Sequence, residues 1–148
     1  MEKLPETADE MFCFAVYKAG HAINRAYAPL LKTLGLTYPQ YITLTLLWQV
    51  DGQKVGELSR KLGMESSTVT PLLKRLEKLG HIERRRDTAD ERKVMVFLSE
   101  QGRALSTKAS EITRCMVEQT GMEASDLDEL VDNLSILSAN LGAFTSGE

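Results

Sequence analysis

Apolar residues recur every three to four positions along most of the chain, a spacing typical of amphipathic helices. The first such segment covers residues 8–33, and Gly35 is expected to end it. Thr37 and Gln40 then have the spacing of a capping box, which predicts a second helix at about 38–50. The N-terminal third is therefore expected to be two helices joined by a tight turn.

Two shorter helical segments follow, at 54–62 and about 67–79. A glycine comes directly after the first segment and shortly after the second, which favours helix ends at these points. Ser66 or Ser67 is expected to cap the second helix. Pro71 is expected in its first turn, where a missing N–H is tolerated.

Beyond these helices the spacing changes, because residues 82–86 and 93–98 alternate apolar and polar side chains. Such alternation predicts two strands, and the intervening residues, DTADER, predict a hairpin with a charged tip. Two short helices followed by a hairpin form a winged helix-turn-helix. In that motif the second helix enters the major groove of DNA.

The C-terminal third predicts two further helices, at about 100–120 with Ser99 as its cap and at about 124–141, separated by Gly121. The last helix carries an apolar seam with 3-4-3-4 spacing, formed by Leu127, Leu130, Leu134, Leu137 and Leu141. The small central unit cannot cover the seams of all the terminal helices. We therefore expect a second copy of the chain to cover them.

Together these segments predict a mainly α fold with a small β-hairpin wing, in a single domain of residues 1–148. Residues 36–98 would form the winged helix-turn-helix part. Residues 8–35 and 100–141 would supply the N- and C-terminal dimerisation helices.

The composition is that of an ordinary globular protein, with 43% hydrophobic and 26% charged residues. No apolar run is long enough to span a membrane, and the acidic N-terminus lacks the pattern of a signal peptide. We therefore expect a cytoplasmic protein without membrane association. Its two cysteines are then expected to rest as thiols rather than to form a structural disulfide.

The charge is distributed unevenly along the chain. Residues 54–93 carry eleven Lys and Arg against seven Asp and Glu, a net charge of +4, whereas the remainder carries −7. A basic central segment between acidic ends favours duplex DNA as a partner.

The candidate DNA contacts come from the second short helix and from the hairpin. Small hydroxyl side chains let the backbone approach base edges, and Lys and Arg neutralise phosphates. The helix supplies Ser66, Ser67, Thr68, Thr70, Pro71, Lys74, Arg75 and Lys78. The hairpin supplies Arg84, Arg85, Arg86, Asp90 and Arg92. Arg92 at the tip suits the electronegative minor groove, and Asp90 could hold its guanidinium in a bidentate pair.

Several stretches resemble the multiple antibiotic resistance regulator (MarR) family of bacterial transcription factors. The matching segments are LTYPQY (36–41), VGELSRKL (55–62), STVTPLLKRLEKLG (67–80), DER (90–92) and LSEQGRAL (98–105). The start CFAVY (13–17), joined to LTYPQY and TPLLKRLE, is most similar to the organic hydroperoxide resistance regulator (OhrR) branch. The resemblance covers nearly the whole chain and implies a homodimeric repressor of operator DNA.

This branch implies a reactive N-terminal cysteine held by two tyrosine hydroxyls, at positions that match Cys13, Tyr27 and Tyr38. Some members add a C-terminal cysteine that forms a disulfide with the first across the dimer, and Cys115 lies in the corresponding region. This two-cysteine type is the one that the chain resembles. Tyr17, one helical turn from Cys13, is a further candidate beside the thiol.

The implied chemistry is oxidation of a thiolate. A helix start and tyrosine O–H donors both favour negative charge on the sulfur, although apolar neighbours oppose it. An organic hydroperoxide would convert Cys13 to a sulfenic acid. Either Cys115 of the partner subunit or a small cellular thiol would then capture it as a disulfide. Movement of the dimer helices would alter the half-site spacing and release DNA.

Other interpretations of these residues stay open. A repressor of this family could be released by a small phenolic ligand, with Cys13 a small apolar side chain. A related regulator could respond to several oxidants and control many genes. A thiol peroxidase is less favoured, because the chain has no CxxC motif and no βαβ pattern. We expect no enzyme activity and no cofactor. No metal site is expected either, because His21 and His81 are too few and too far apart in the sequence.

Overall fold

The computed structural model describes the backbone of residues 4–145 and the side chains of residues 4–142. Its helices are α1 (Phe12–Lys32), α2 (Tyr38–Gln49), α3 (Val55–Leu62), α4 (Ser66–Lys78), α5 (Glu100–Ala104), α6 (Ser106–Thr120) and α7 (Ala124–Thr145). Its strands are β1 (Gln53–Lys54), β2 (Ile82–Arg86) and β3 (Val94–Leu98), and a 3-10 turn, Ala8–Glu10, precedes α1. No helix of the described part is long and apolar enough to cross a membrane.

The predicted fold class is confirmed, since the chain is mainly helical with a small antiparallel wing. The wing sheet has three strands in the order β1-β3-β2, rather than the two strands predicted. The additional strand, β1, pairs Gln53 with Val96 of β3. Two residues are too few to show an alternating pattern, so only the pairing with β3 reveals this strand.

The capping box at the start of α2 is present as predicted. Thr37 N donates to Gln40 Oε1 at 2.9 Å, and Gln40 N donates to Thr37 Oγ1 at 3.4 Å. Gly35, which follows α1, has a φ of 67°, in the left-handed region that a helix end requires. The turn between the first two helices is thus determined by local chemistry.

Two predicted helices are divided. The segment 8–33 breaks at Met11, because its N–H closes the 3-10 turn on Ala8 O at 3.0 Å. The segment 100–120 breaks at Leu105, between α5 and α6. In a continuous helix the carbonyl of Gly102 would accept the N–H of residue 106. Here it accepts the indole N–H of Trp48 at 2.9 Å, which competes with the helical bond.

The chain divides into two compact units, Met1–Ile112 and Thr113–Glu148. The first contains the winged helix-turn-helix, with a core of α2, α3, α4 and the sheet. Its fully buried side chains include Leu44, Leu47, Leu58, Leu73, Leu76 and Val96. Burial of each such leucine contributes roughly 1.5–3 kcal/mol. The assignment of residues 1–148 to one domain stays a prediction.

Each unit also exposes apolar side chains in the single chain. In α1, Phe12 is 64% and Tyr17 63% exposed, and Val16 and Ile23 are exposed as well. In α7 the exposed apolar residues are Leu130, Val131, Leu134, Ile136 and Leu141, whereas Leu127 and Leu137 of the predicted seam are half-buried. Apolar surface of this extent is typical of an interface.

Candidate nucleic-acid interface and cysteine site

Helix α4 begins one residue earlier than the sequence predicts. Glu65 is the N-cap, with an extended backbone and no side-chain cap bond, so neither Ser66 nor Ser67 caps the helix. The carbonyl of Glu65 accepts the N–H of Thr68 at 2.9 Å and thereby starts the helical ladder. Pro71 consequently lies inside the helix rather than in its first turn, and both predictions are wrong.

Helix α4 separates an apolar face from a polar face. Its buried residues, Val69, Leu72, Leu73 and Leu76, pack into the core. The predicted contact residues Ser66, Ser67, Thr68, Pro71, Lys74, Arg75 and Lys78 are exposed, and Thr70 is half-buried. Small hydroxyls thus occupy the first turn and cations the later turns. This order fits base edges near the helix start and phosphates further along.

The three consecutive arginines of β2 have different surroundings. Arg84 is half-buried, and its Nη2 lies 3.0 Å from Glu77 Oε1 of α4. The guanidinium of Arg85 lies 4.8 Å from the centre of the Phe97 ring. Arg86 is exposed at the end of the strand. A run of three like residues therefore provides three distinct environments, in which Arg84 pairs with Glu77 and Arg85 with Glu83.

The wing tip carries Asp90 and Arg92, as predicted, but not the predicted bidentate pair. Asp90 Oδ1 accepts both the backbone N–H of Arg92 at 3.1 Å and Nε at 3.3 Å, so a single carboxylate oxygen makes both contacts. The backbone contact holds Oδ1 against the main chain, and the Nε contact is made to the same oxygen. The Arg92 side chain is 92% exposed and extends from the tip.

A groove of about 600 Å³ lies between α3, α4 and the hairpin. Its charged lining consists of Lys54, Glu57, Arg60, Arg84, Arg92 and Lys93. Five cations against one carboxylate give the groove a positive potential that fits a DNA phosphate backbone. Lys54, Arg60 and Lys93 were not predicted as contacts. Their one sequence signal is the basic excess of residues 54–93, because no motif marks them individually.

Cys13 is the second residue of α1, and it is exposed. It therefore lies in the first turn, where the helix dipole favours an anion. Phe14 is half-buried beneath Lys18, whose Nζ lies 5.4 Å from the ring centre. Tyr17 packs edge-on against His21 at a centroid distance of 4.4 Å. In the single chain the thiol is accessible to an oxidant.

Tyr27 and Tyr38 lie together where α1 and α2 meet, with ring centroids 4.9 Å apart. Burial, with smaller contributions from Tyr41 and Tyr38, raises the pKa of Tyr27 to about 12. Burial and Tyr41 also raise the pKa of Tyr38. Both phenols therefore keep their protons at neutral pH and can act as hydrogen-bond donors.

Tyr27 cannot reach Cys13 of the same chain, and Tyr38 packs beside Tyr27 at the same end of α1. Cys13 and Tyr27 are fourteen residues apart on one continuous helix, which separates their Cα atoms by about 21 Å at 1.5 Å per residue. A cysteine and a tyrosine side chain together span about half that distance. Any contact between the sulfur and these hydroxyls must therefore involve two copies of the chain.

Cys115 lies in α6 and is half-buried. Its Sγ accepts a hydrogen bond from Gln119 Nε2 at 3.5 Å, one helical turn further along. Both cysteines are thus free thiols, in the two different units of the chain.

Comparison with known proteins identifies relatives over most of the chain. The family model of the transcriptional regulators SarA/Rot matches residues 25–109. The HTH-type transcriptional regulator TtmR of Methylorubrum extorquens is 45% identical over 139 residues, covering 94% of this chain and 71% of that protein. The organic hydroperoxide resistance transcriptional regulator of Bacillus subtilis is 36% identical over 129 residues, covering 87% and 88% of the two chains.

Among solved structures, AbfR of Staphylococcus epidermidis in its reduced, DNA-bound form has a TM-score of 0.78 and 29% identity, covering 87% of this chain and 90% of that chain. Its disulfide form has a TM-score of 0.63 and 28% identity, covering 90% and 89%. The curated relatives are named as transcriptional regulators, which indicates a regulatory, DNA-binding role rather than catalysis. The chain belongs to the SarA/Rot family of transcriptional regulators, whose fold is the MarR-like winged helix.

Proposed function

We propose that this chain is a homodimeric repressor that holds operator DNA while Cys13 is reduced and leaves it when an organic hydroperoxide oxidises Cys13. The observation that carries the proposal is an exposed thiol at the start of α1 and a pair of protonated phenols where the other end of α1 meets α2. A relative named for organic hydroperoxide resistance supports this sensing role. AbfR, which is known in reduced, DNA-bound and disulfide forms, also supports it.

In the proposed dimer the sensor site is shared between protomers. Cys13 of one protomer meets Tyr27 and Tyr38 of the partner subunit, because the two groups are too far apart within one chain. The same contact would cover the exposed apolar side chains at the start of α1. A groove of about 660 Å³ that Tyr38 lines leaves room for the incoming segment.

The oxidation proceeds in two balanced steps. The Cys13 thiolate attacks the terminal oxygen of the hydroperoxide, so that an S–O bond forms and the O–O bond breaks. Cys13 becomes a sulfenic acid, and the alkoxide takes a proton and leaves as the alcohol. A second thiol then attacks the sulfenic sulfur, which forms a disulfide and releases water. Cys115 of the partner subunit or a small cellular thiol supplies this second sulfur. The resulting change at the dimer helices moves the winged helix-turn-helix parts of the two protomers out of the spacing of the two DNA half-sites.

Oxidation of a DNA-bound sample tests the proposal. Fluorescence anisotropy would follow a duplex from upstream of the protein's own gene while cumene hydroperoxide is added. We expect the wild-type affinity to fall by roughly two orders of magnitude, since several phosphate contacts are lost. Cys13→Ser should stay bound. Release of that variant by peroxide would contradict the thiol mechanism and favour a phenolic effector, which could be added directly.

Mixed dimers test whether the site is shared between protomers. Cys13→Ser and Tyr27→Phe homodimers should both react slowly, because the first lacks the thiol and the second lacks a donor. In the mixed dimer, the Cys13 of the Tyr27→Phe chain faces the intact Tyr27 of the other chain. Half of the wild-type sites should therefore react at the wild-type rate, measured by trapping the sulfenic acid with dimedone. No recovery in the mixed dimer would contradict the shared site.

Mass spectrometry of the oxidised protein identifies the second thiol. A disulfide-linked dimer that Cys115→Ser abolishes would assign the role to Cys115. A mixed disulfide with added glutathione would assign it to a small thiol. A steady-state assay separates a sensor from a peroxidase, because a sensor consumes about one hydroperoxide per Cys13 whereas a peroxidase turns over repeatedly.

A further inference from the structure

Glu77 and Arg84 join helix α4 to the wing, the β2–β3 hairpin. Glu77 lies in the last turn of α4, and Arg84 is the middle residue of β2. Glu77 Oε2 accepts the backbone N–H of Arg84 at 2.9 Å, while Oε1 accepts Nε at 3.3 Å and Nη2 at 3.0 Å. These hydrogen bonds from Arg84 lower the pKa of Glu77, so its carboxylate stays charged at neutral pH. One carboxylate thus holds both the main chain and the side chain of one arginine.

Arg84 faces the inside of the wing. In the sheet it lies opposite Val96, which is fully buried, and strand alternation places it on the same face as buried Ile82. Its side chain is 25% exposed, compared with 62% for Arg85, the next residue. Its inward position, and a carboxylate on α4 that binds both its main chain and its side chain, distinguish it from Arg85, whose partner Glu83 lies on the same strand.

We propose that Arg84 is a positioning residue, which together with Glu77 sets the angle between α4 and the β2–β3 hairpin and does not itself neutralise a phosphate. The inference rests on the proposed DNA binding by α4 and the wing. The hairpin tip at Asp90, six residues beyond Arg84, lies at most about 20 Å from the pair at 3.3 Å per residue. A rotation of about 10° at the pair would move the tip by about 3 Å, which exceeds the tolerance of a hydrogen bond.

The opposing interpretation is that Arg84 binds a phosphate in the basic groove, whose lining it shares with Lys54 and Lys93. A guanidinium has five N–H donors, so the pair with Glu77 leaves some available. The two interpretations predict opposite changes in DNA affinity when the Glu77 charge is removed. If Arg84 binds a phosphate, the protein should bind DNA more tightly once the competing carboxylate is gone. If the pair positions the wing, the variant protein should bind DNA more weakly, because the wing is no longer held against α4.

Salt-dependent DNA binding distinguishes these two outcomes. The reduced full-length protein would be titrated with the upstream duplex at several salt concentrations. We expect Glu77→Gln and Arg84→Gln each to weaken binding by about tenfold, with no further loss in the double variant because the pair acts as a unit. The slope of log affinity against log salt should stay that of the wild type in both. Arg92→Gln, at the exposed tip, should reduce that slope by about 0.9.

Two conservative variants serve as controls. Glu83→Gln removes the exposed carboxylate that pairs with Arg85 at 2.6 Å, and it should bind DNA at least as tightly as the wild type. Arg84→Lys keeps the charge but loses the two-point pairing, so it should bind as weakly as Arg84→Gln. Equal or tighter binding by Glu77→Gln would overturn the proposal. A slope lowered by about 0.9 in Arg84→Gln would also overturn it.

Hydrogen exchange of the free protein separates this inference from the proposed function. The amides of β2 and β3 should exchange faster in Glu77→Gln than in Glu83→Gln, because only the former loosens the hairpin. If the wild-type protein binds no duplex, the proposed function fails while the exchange measurement still tests the pair. Equal exchange rates in the two variants would overturn the proposed positioning role of Glu77 and Arg84.

Discussion

At the residue scale, His81 shows how burial alone can make a side chain sensitive to pH. It is 5% exposed, between α4 and β2, and its Nδ1 has no hydrogen-bond partner among the described residues. Desolvation lowers its pKa below the ordinary value of 6.5. Since no described group compensates a charge on Nδ1, the folded protein favours the neutral imidazole.

The lowered pKa of His81 makes the stability of the fold depend on pH. Between the ordinary pKa and the lowered one, the unfolded chain binds more protons than the folded chain, so stability is lost as the pH falls below 6.5. We expect urea denaturation between pH 7.5 and 5.5 to show a steeper loss in the wild type than in His81→Gln. The two proteins would show the same pH dependence if the buried imidazole did not matter.

At the element scale, the five-residue helix α5 depends on its neighbours for its stability. A helix this short is not stable in isolation. Ser99 Oγ donates to Gly80 O, just after α4, at 2.6 Å, and Trp48 Nε1 of α2 donates to Gly102 O at 2.9 Å. Arg103 Nη2 lies 3.0 Å from Asp51 Oδ2. Helix α5 therefore fixes the end of α4 against α2 and the start of the sheet.

Two glycine substitutions test this packing. A Cβ at Gly102 would overlap the backbone carbonyl of His81, which has no freedom to move away. We expect Gly102→Ala to lower the free energy of unfolding by about 1–3 kcal/mol. Gly56→Ala in α3 is the control, because its Cβ would meet no atom within 4 Å, and it should be neutral or stabilising by up to about 1 kcal/mol. Thermal unfolding measures both, and equal effects would contradict the packing.

At the scale of the whole molecule, the exposed apolar surface of α1 and α7 indicates association. Val131, which borders the leucine seam, is 60% exposed, and Ile136, on another face of the helix, is 59% exposed. Apolar residues beyond one narrow stripe indicate that α7 is buried on more than one side. A winged helix-turn-helix protein also needs two copies to engage two half-sites. Dimerisation by these helices is therefore central to the proposed repressor.

A charge placed on the seam should separate the protomers. Leu134 is 38% exposed in the single chain and lies in the middle of the seam, so Leu134→Glu would bury an unpaired carboxylate in the dimer. We expect a monomer by analytical ultracentrifugation and a loss of DNA affinity of at least roughly tenfold. Ser135→Glu, on a different face of α7, should stay dimeric. A dimeric Leu134→Glu protein would contradict this use of the seam.

Much of the fold could be predicted because the relevant signals are local. Hydrophobic spacing, the capping box at Thr37 and the alternation in β2 act between residues close in sequence, and the structure confirms each of them. The exposed polar face of α4 was predicted for the same reason, since a helix shows its polar face in its sequence, whereas its contacts with DNA stay a prediction. The separation of Cys13 from Tyr27 was also implicit in the predicted helix.

The remaining features depend on contacts between distant parts of the chain. The sequence alone determined the main helices and the two strands of the hairpin, because periodicity and caps need only neighbouring residues. The tertiary structure decided that β1 joins β3, that Trp48 reaches the backbone of α5, and that Arg84 turns toward Glu77. In each of these contacts, packing of the core brings together two groups that belong to different elements of the fold. Spacing along the chain does not encode that proximity.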